Sequence, residues 1–301
     1  MGRRAICMVL FFSVFAVASC NHSQAEQEEH VLAATAPEVM IKTTVNKYSW
    51  KTNYDIKNAV VNRIMVPEGY KRVEQKEGSF GDWLRFLPLK EGNPDVHLYD
   101  GSLKRYQAGH AAVLDVDVGT TDLQQCADAV MRMRAEYLYS LKDYENLHFN
   151  FTSGHTIGFK KWSEGYRTSI KGNNVSWVKR AGADDSYKTF KSYTNTIFNY
   201  AGTSSLSKEL KKVPDVKDIL PGDVFIVGGF PGHAVLVTDV CKNEKTGEKL
   251  FMIQQSYMPA QEIHILKNLN NSSLSPWYSV NFGDVLETPE WSFGNDQLMR
   301  W

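Results

Sequence analysis

The run Pro221-Gly222-Asp223-Val224-Phe225-Ile226-Val227-Gly228-Gly229-Phe230-Pro231-Gly232-His233-Ala234-Val235-Leu236-Val237-Thr238-Asp239-Val240 decides the fold class. Pro221-Gly222-Asp223 is turn chemistry that delivers the chain into a short β-branched and aromatic strand, Val224 to Val227. Gly228 to Gly232 is a glycine-proline bend, and His233 to Val240 predicts a second strand. Asn243 to Gly247 closes a hairpin, Leu250 to Ser256 predicts a third strand, and Gln261 to Leu266 a fourth. Strands this close together, joined by short turns, form an antiparallel meander.

Working outward, the upstream half reads mainly as helix. Trp83 to Leu89 is apolar with Pro88, and loops carrying Asn93-Pro94 and Asp100-Gly101 follow. His110 to Val118 predicts a strand. Its opening, Gly109-His110-Ala111-Ala112-Val113-Leu114, echoes Gly232-His233-Ala234-Val235-Leu236 as a second glycine-histidine start. Thr121-Asp122-Leu123-Gln124 matches a capping box, so a helix is expected from there to about Leu141. That start places Cys126 about five residues inside the helix, on the apolar face with Leu123 and Val130. His148 to Thr152 reads as a short strand, and Thr156 to Tyr166 is aromatic-rich without a clear period. Tyr187 to Tyr200 predicts a helix with Phe190, Ile197 and Phe198 inward, and Ser205 to Leu210 a shorter one. Helices packed on a later antiparallel sheet give an α+β fold.

The amino terminus has a different character. Arg3 and Arg4 precede an apolar run from Ala5 to Ala18, broken only by Ser13 and ending in Val17-Ala18-Ser19-Cys20. At about 14 residues the run is too short to cross a bilayer of ~30 Å and suits the apolar region of a signal peptide. Small residues followed by cysteine resemble the bacterial lipobox, which implies a lipid on Cys20 and cleavage before it; a plain secretory signal is the competing reading. Asn21 after the cysteine favours the outer membrane by analogy with lipoprotein sorting, and Glu26, Glu28 and Glu29 hint at the cell surface. Residues 1–19 are therefore expected as signal peptide, 20–45 as a polar tether, and 46–301 as one globular domain.

Composition supports a real core in that domain: 43% of the chain is hydrophobic, with 15 Phe and 14 Tyr. Thirty-four basic residues balance thirty-four acidic ones, which gives no electrostatic reason to expect nucleic acid as a partner. With Cys7 in the signal and Cys20 lipidated, only Cys126 and Cys241 remain for the domain. They could pair in an oxidising envelope, or one could be a reactive thiol. No Cys/His cluster has zinc spacing, so neither a structural metal nor another cofactor is expected.

Cysteine-based nucleophilic catalysis needs a thiol beside an imidazole, a polar group that orients the ring, and donors for an oxyanion. A helix carrying Cys126, a strand opened by His233, and a neighbouring strand ending in Gln254-Gln255 supply those parts. The run from Pro221 through Gly232-His233-Ala234-Val235-Leu236-Val237 resembles the histidine-bearing core of NlpC/p60 and CHAP domains. These are papain-like cysteine peptidases and amidases acting on bacterial cell-wall peptides. That resemblance implies Cys126 as nucleophile, His233 as general base, and Gln255 rather than Gln254 as the orienting residue. Gln125 would assist at the oxyanion. His155, between Gly154 and Gly158 in an aromatic loop, is a candidate cleft residue.

Across most of the domain the chain resembles Bacteroidota lipoproteins grouped as domain-of-unknown-function family 4846. The resemblance is carried by Arg85-Phe86-Leu87-Pro88-Leu89-Lys90, by Asp122 to Leu138, and by Gln255-Ser256-Tyr257-Met258-Pro259-Ala260-Gln261. The expectation is a lipid-anchored envelope protein whose partners are the membrane, through Cys20, and peptidoglycan peptide. Its competitors are a non-catalytic lipoprotein that binds a glycan or peptide, with Cys126 an inert core residue, and a structural lipoprotein of the envelope. Asp115 and Asp117 read as a solvated strand face rather than an acid/base pair. The rings between Phe159 and Trp177 read as core before they read as a ligand platform.

Overall fold

A computed structural model describes residues 48–301; the expected signal peptide, Cys20 and the whole of the expected tether lie outside the described residues. Helices run α1 Val60–Arg63, α2 Phe80–Arg85, α3 Cys126–Ser140, α4 Phe159–Ser163, α5 Tyr187–Tyr200 and α6 Thr203–Glu209. The first six strands are β1 Tyr70–Arg72, β2 His110–Val113, β3 His148–Asn150, β4 Thr156–Gly158, β5 Tyr166–Lys171 and β6 Asn174–Lys179. They are followed by β7 Lys211–Lys212, β8 Val224–Val227, β9 His233–Asn243, β10 Lys249–Gln255 and β11 His264–Leu266. The last four are β12 Tyr278–Ser279, β13 Val285–Glu287, β14 Ser292–Gly294 and β15 Leu298–Arg300. The fold is mixed α and β, built on a large antiparallel sheet.

The meander β8–β9–β10–β11 is the centre of that sheet, whose order is β2-β11-β10-β9-β8-β15-β7, with β1 on the far end of β9 and β12 on β10. The sheet is not assembled only from the last third of the chain. β2 arrives from upstream of α3 and pairs with β11, while β15 returns from the carboxyl end to pair with β8. One face, with Ala234, Leu236 and Met252, packs against α2 and α3 through Leu84, Val130 and Met131, in a core that continues to Phe190 of α5. The other face, with Phe225, Val235, Val237, Phe251 and Ile253, is covered by Tyr278, Leu286 and Phe293. At ~25 cal/mol per Å² of apolar surface removed from water, these two cores supply the main driving force for folding.

A buried ion cluster pins β9 to α2. Asp239, on β9, accepts from Arg72 Nε at 2.7 Å and from Arg85 Nε at 2.6 Å, with no exposure of its own side chain. Three expectations are corrected here. The strand expected over His110 to Val118 ends at Val113. The aromatic stretch before Trp177 includes the hairpin β5–β6, closed by Gly172-Asn173, with Ile170, Val175 and Trp177 packed on the core. Asp115 and Asp117 are not a bare solvated face: Asp115 pairs with Lys51, and Asp117 with Arg132 and Lys191.

Candidate functional site

The helix carrying Cys126 starts at Cys126 itself, not at Thr121. Residues 121–124 match a capping box in sequence, but tertiary hydrogen bonds claim this segment first. Asp122 accepts the Ala260 N–H at 2.6 Å and the Gln125 side-chain amide at 3.0 Å. Gln124 is held by Arg132, 2.9 Å from its Oε1, and by the Ser256 hydroxyl, which donates to its carbonyl at 2.8 Å. Asp128 then accepts the Gln125 N–H at 3.1 Å and fixes the first turn. Cys126 is therefore the first helical residue, where backbone N–H groups have no partner within the helix.

The thiol lies against the start of β9. Backbone N–H groups of Ala127, Ala234 and Cys126 itself favour its anion. Burial acts in the opposite direction and wins, pushing the thiol up to about 11, with Asp128 adding to the rise. Only 8% of Cys126 is exposed. The Gln125 amide is committed to Asp122, so the donors facing the sulfur come from the main chain.

Gly232 sets up the histidine next to it. A Cβ at this position would fall 2.5 Å from the Gly229 carbonyl oxygen and 2.7 Å from that of Val227, so only glycine fits the bend. His233 follows, 1% exposed, and burial brings its imidazole down to about 4, opposed by its bond to Gln255. His233 Nε2 and Gln255 Oε1 are 2.8 Å apart. The Gln255 amide nitrogen donates to Glu290 Oε2 at 2.7 Å and lies 3.4 Å from His264 Nε2. An ionised carboxylate can only accept, so the amide must turn its nitrogen toward Glu290 and its oxygen toward His233. The proton of His233 then sits on Nε2, and the lone pair sits on Nδ1, the ring nitrogen nearer its own main chain. Lys104 completes the chain, with Nζ 2.5 Å from Glu290 Oε1 and 2.9 Å from the Tyr106 carbonyl.

The structure thus brings His233 and Gln255 into direct contact and sets the Cys126 sulfur at the peptide that follows His233. The helix with Cys126 packs on the face bearing Ala234 and Leu236, whereas His233 and Gln255 stand on the face bearing Val235 and Ile253. All three occupy the same end of the sheet, with the thiol beside the Ala234 main chain. Rings of Tyr257, Trp291 and Phe293 surround the imidazole at 4.8, 5.3 and 5.9 Å between centroids. Tyr257 is also within electrostatic reach of Cys126.

Other candidates fall elsewhere. His155 sits in the β3–β4 turn with Nδ1 3.1 Å from the Ser153 hydroxyl. Cys241 lies seven residues down β9 from Ala234, roughly 23 Å away at ~3.3 Å per residue, which rules out a bridge to Cys126; both thiols are free. His110 opens β2 and places Nε2 3.1 Å from the Pro94 carbonyl. Gln254 points to the α3 face, and neither atom of its amide has a partner among the described residues. Glu290, Lys104, His264 and the ring cover were not legible beforehand, because no local pattern marks residues that meet across such sequence distances.

The family model for domain of unknown function 4846 matches residues 60–300, and the chain belongs to that family. No curated protein and no solved structure matches.

Proposed function

We propose that this family member is a lipid-anchored envelope hydrolase of papain-like type, in which Cys126, His233 and Gln255 cleave an amide bond in cell-wall peptide. The observation that carries the reading is a histidine-glutamine pair at 2.8 Å at the same end of the sheet as a cysteine that opens a helix beside Ala234. Helix, histidine strand and polar-residue strand follow one another in the order of NlpC/p60 and CHAP domains. The anchor on Cys20 rests on the residues around it, Ala18-Ser19-Cys20-Asn21.

The chemistry runs from a neutral pair, because burial raises the thiol and lowers the imidazole. His233 Nδ1 takes the thiol proton as the sulfur attacks the amide carbon, and main-chain N–H groups at the α3 start receive the oxyanion. The C–N bond breaks as the same proton passes to the leaving amine. Water, deprotonated by His233, then hydrolyses the thioester, releasing the acid and restoring the thiol. Gln255 keeps the ring oriented throughout.

The test is incubation of the chain freed of residues 1–20 with peptidoglycan fragments, analysed by mass spectrometry. Cleavage lost in both Cys126→Ala and His233→Ala supports the reading. Absence of cleavage, with Cys126 alkylated only after denaturation, overturns it. The near-closure of the site, with His233 beneath three aromatic rings, favours a second reading, a non-catalytic binding lipoprotein. In that reading the domain holds a peptide or glycan without turning it over, and the fragments would bind to wild type and Cys126→Ala alike.

A further inference from the structure

We infer that the buried Lys104–Glu290 ion pair is a positioning pair that fixes the tautomer of His233 through Gln255. The inference rests on the site reading given above, but its core is a statement about where one proton sits. Glu290 reaches Gln255 from the loop before β14, and Lys104 reaches Glu290 from the segment before β2. The Lys104 side chain is 6% exposed, and its ammonium faces Glu290, the Tyr106 carbonyl and the Tyr106 ring.

Glu290 accepts from the Lys104 ammonium through Oε1 and presents Oε2 to Gln255. An ionised carboxylate offers acceptors only, so Gln255 must give it the amide nitrogen. The amide oxygen is then left for His233, and that oxygen can only accept. The ring nitrogen facing it must be protonated, so the basic lone pair falls on Nδ1. His264 backs the same orientation: its Nδ1 is 2.8 Å from the Glu262 carbonyl, so that nitrogen carries the proton and Nε2 is an acceptor turned toward the same amide nitrogen. Remove the charge at position 290, and the Gln255 amide can flip. A flipped amide presents N–H to His233 Nε2, the proton moves to Nδ1, and the basic lone pair moves from Nδ1 to Nε2.

The experiment uses the full chain labelled with 15N-histidine, with His233 assigned through His233→Gln, and reads tautomers from two-bond proton–nitrogen correlations. Wild type should show His233 wholly as the Nε2–H form. Glu290→Gln, which is nearly isosteric and can present either a donor or an acceptor, should populate the Nδ1–H form. Lys104→Met should do the same in part, and serves if Glu290→Gln fails to fold. Alkylation of Cys126 at pH 7 should slow by about 10²-fold in Glu290→Gln, the scale of one well-placed proton acceptor. A variant ring that keeps a pure Nε2–H form overturns the inference. A tautomer that shifts while Cys126 stays unreactive in every form upholds the positioning pair and sinks the hydrolase.

Discussion

Gln254 and Gln255 are adjacent, equally buried at 1% exposure, and chemically identical, so replacing each with methionine isolates what its partners contribute. Gln255 accepts from His233, donates to Glu290 and sits beside His264. Gln255→Met leaves a buried imidazole N–H and a carboxylate oxygen without partners. At ~1–3 kcal/mol for each orphaned group, and with the shape largely retained, the cost should be roughly 2–5 kcal/mol. Gln254 makes no such bonds among the described residues, so Gln254→Met removes a buried amide that gains nothing from its position. Replacing an unpartnered polar group by an apolar one of similar volume should be neutral or stabilising by about 1 kcal/mol. For a domain of this size, each kcal/mol shifts Tm by about 2–4 °C. Gln255→Met should therefore lower Tm by roughly 4–20 °C, while Gln254→Met holds or raises it. Thermal and urea unfolding with an unchanged m-value read the difference. Equal losses from the two variants would refute the asymmetry and, with it, the assignment of Gln255 as the partner of His233.

Three further outcomes are expected. His233 sits at about 4 in the folded protein against 6.5 when unfolded, so the folded state binds fewer protons between those values. Its contribution, of order 3 kcal/mol, is complete above about pH 6.5 and is lost as pH falls toward 4; His233→Gln should flatten urea midpoints across that window by about one proton. Asp239→Asn strands Arg72 and Arg85 in the core and should cost about 3–5 kcal/mol by urea denaturation, a loss under 1 kcal/mol contradicting the cluster's role. Gly232→Ala forces a methyl group onto the Gly229 and Val227 carbonyls and should cost about 1–3 kcal/mol, with a shifted His233 imidazole signal in the NMR spectrum.

What the sequence disclosed follows the range of the forces involved. Turn chemistry at Pro221-Gly222-Asp223 and Asn243 to Gly247 acts over a few residues, and β8, β9 and β10 were legible from it. The amphipathic run of α5 was equally local, and its limits, Tyr187–Tyr200, are the expected ones. The start of α3 was misread because its competitors, Ser256 and Ala260, lie more than 130 residues away. The β5–β6 hairpin carried a local signal, Gly172-Asn173 between alternating strands, which the density of aromatic residues obscured.

The choice between Gln254 and Gln255 shows the limit most sharply. Between Lys249 and Met252 the register of β10 on β9 pairs residues whose numbers sum to 491, as in Phe251 with Val240; from Ile253 onward the sum is 490, as in Gln254 with Leu236. Thr238 is the extra residue that makes the change, a β-bulge in β9. Directly opposed residues in an antiparallel pair share a face, and a one-residue slip exchanges the faces. Continued without the bulge, the pairing would put Gln254 on the face of His233 and send Gln255 to the α3 side. With it, Gln255 meets the imidazole and Gln254 is left without partners. No feature of Thr238-Asp239 in the sequence announces a bulge. The cause is the packing around it, where Asp239 must turn inward between Arg72 and Arg85 while Val237 and Val240 both keep the opposite core. The ion cluster on the α2 side thus fixes which glutamine reaches the histidine, a link from buried charge to candidate chemistry that only the folded chain makes visible.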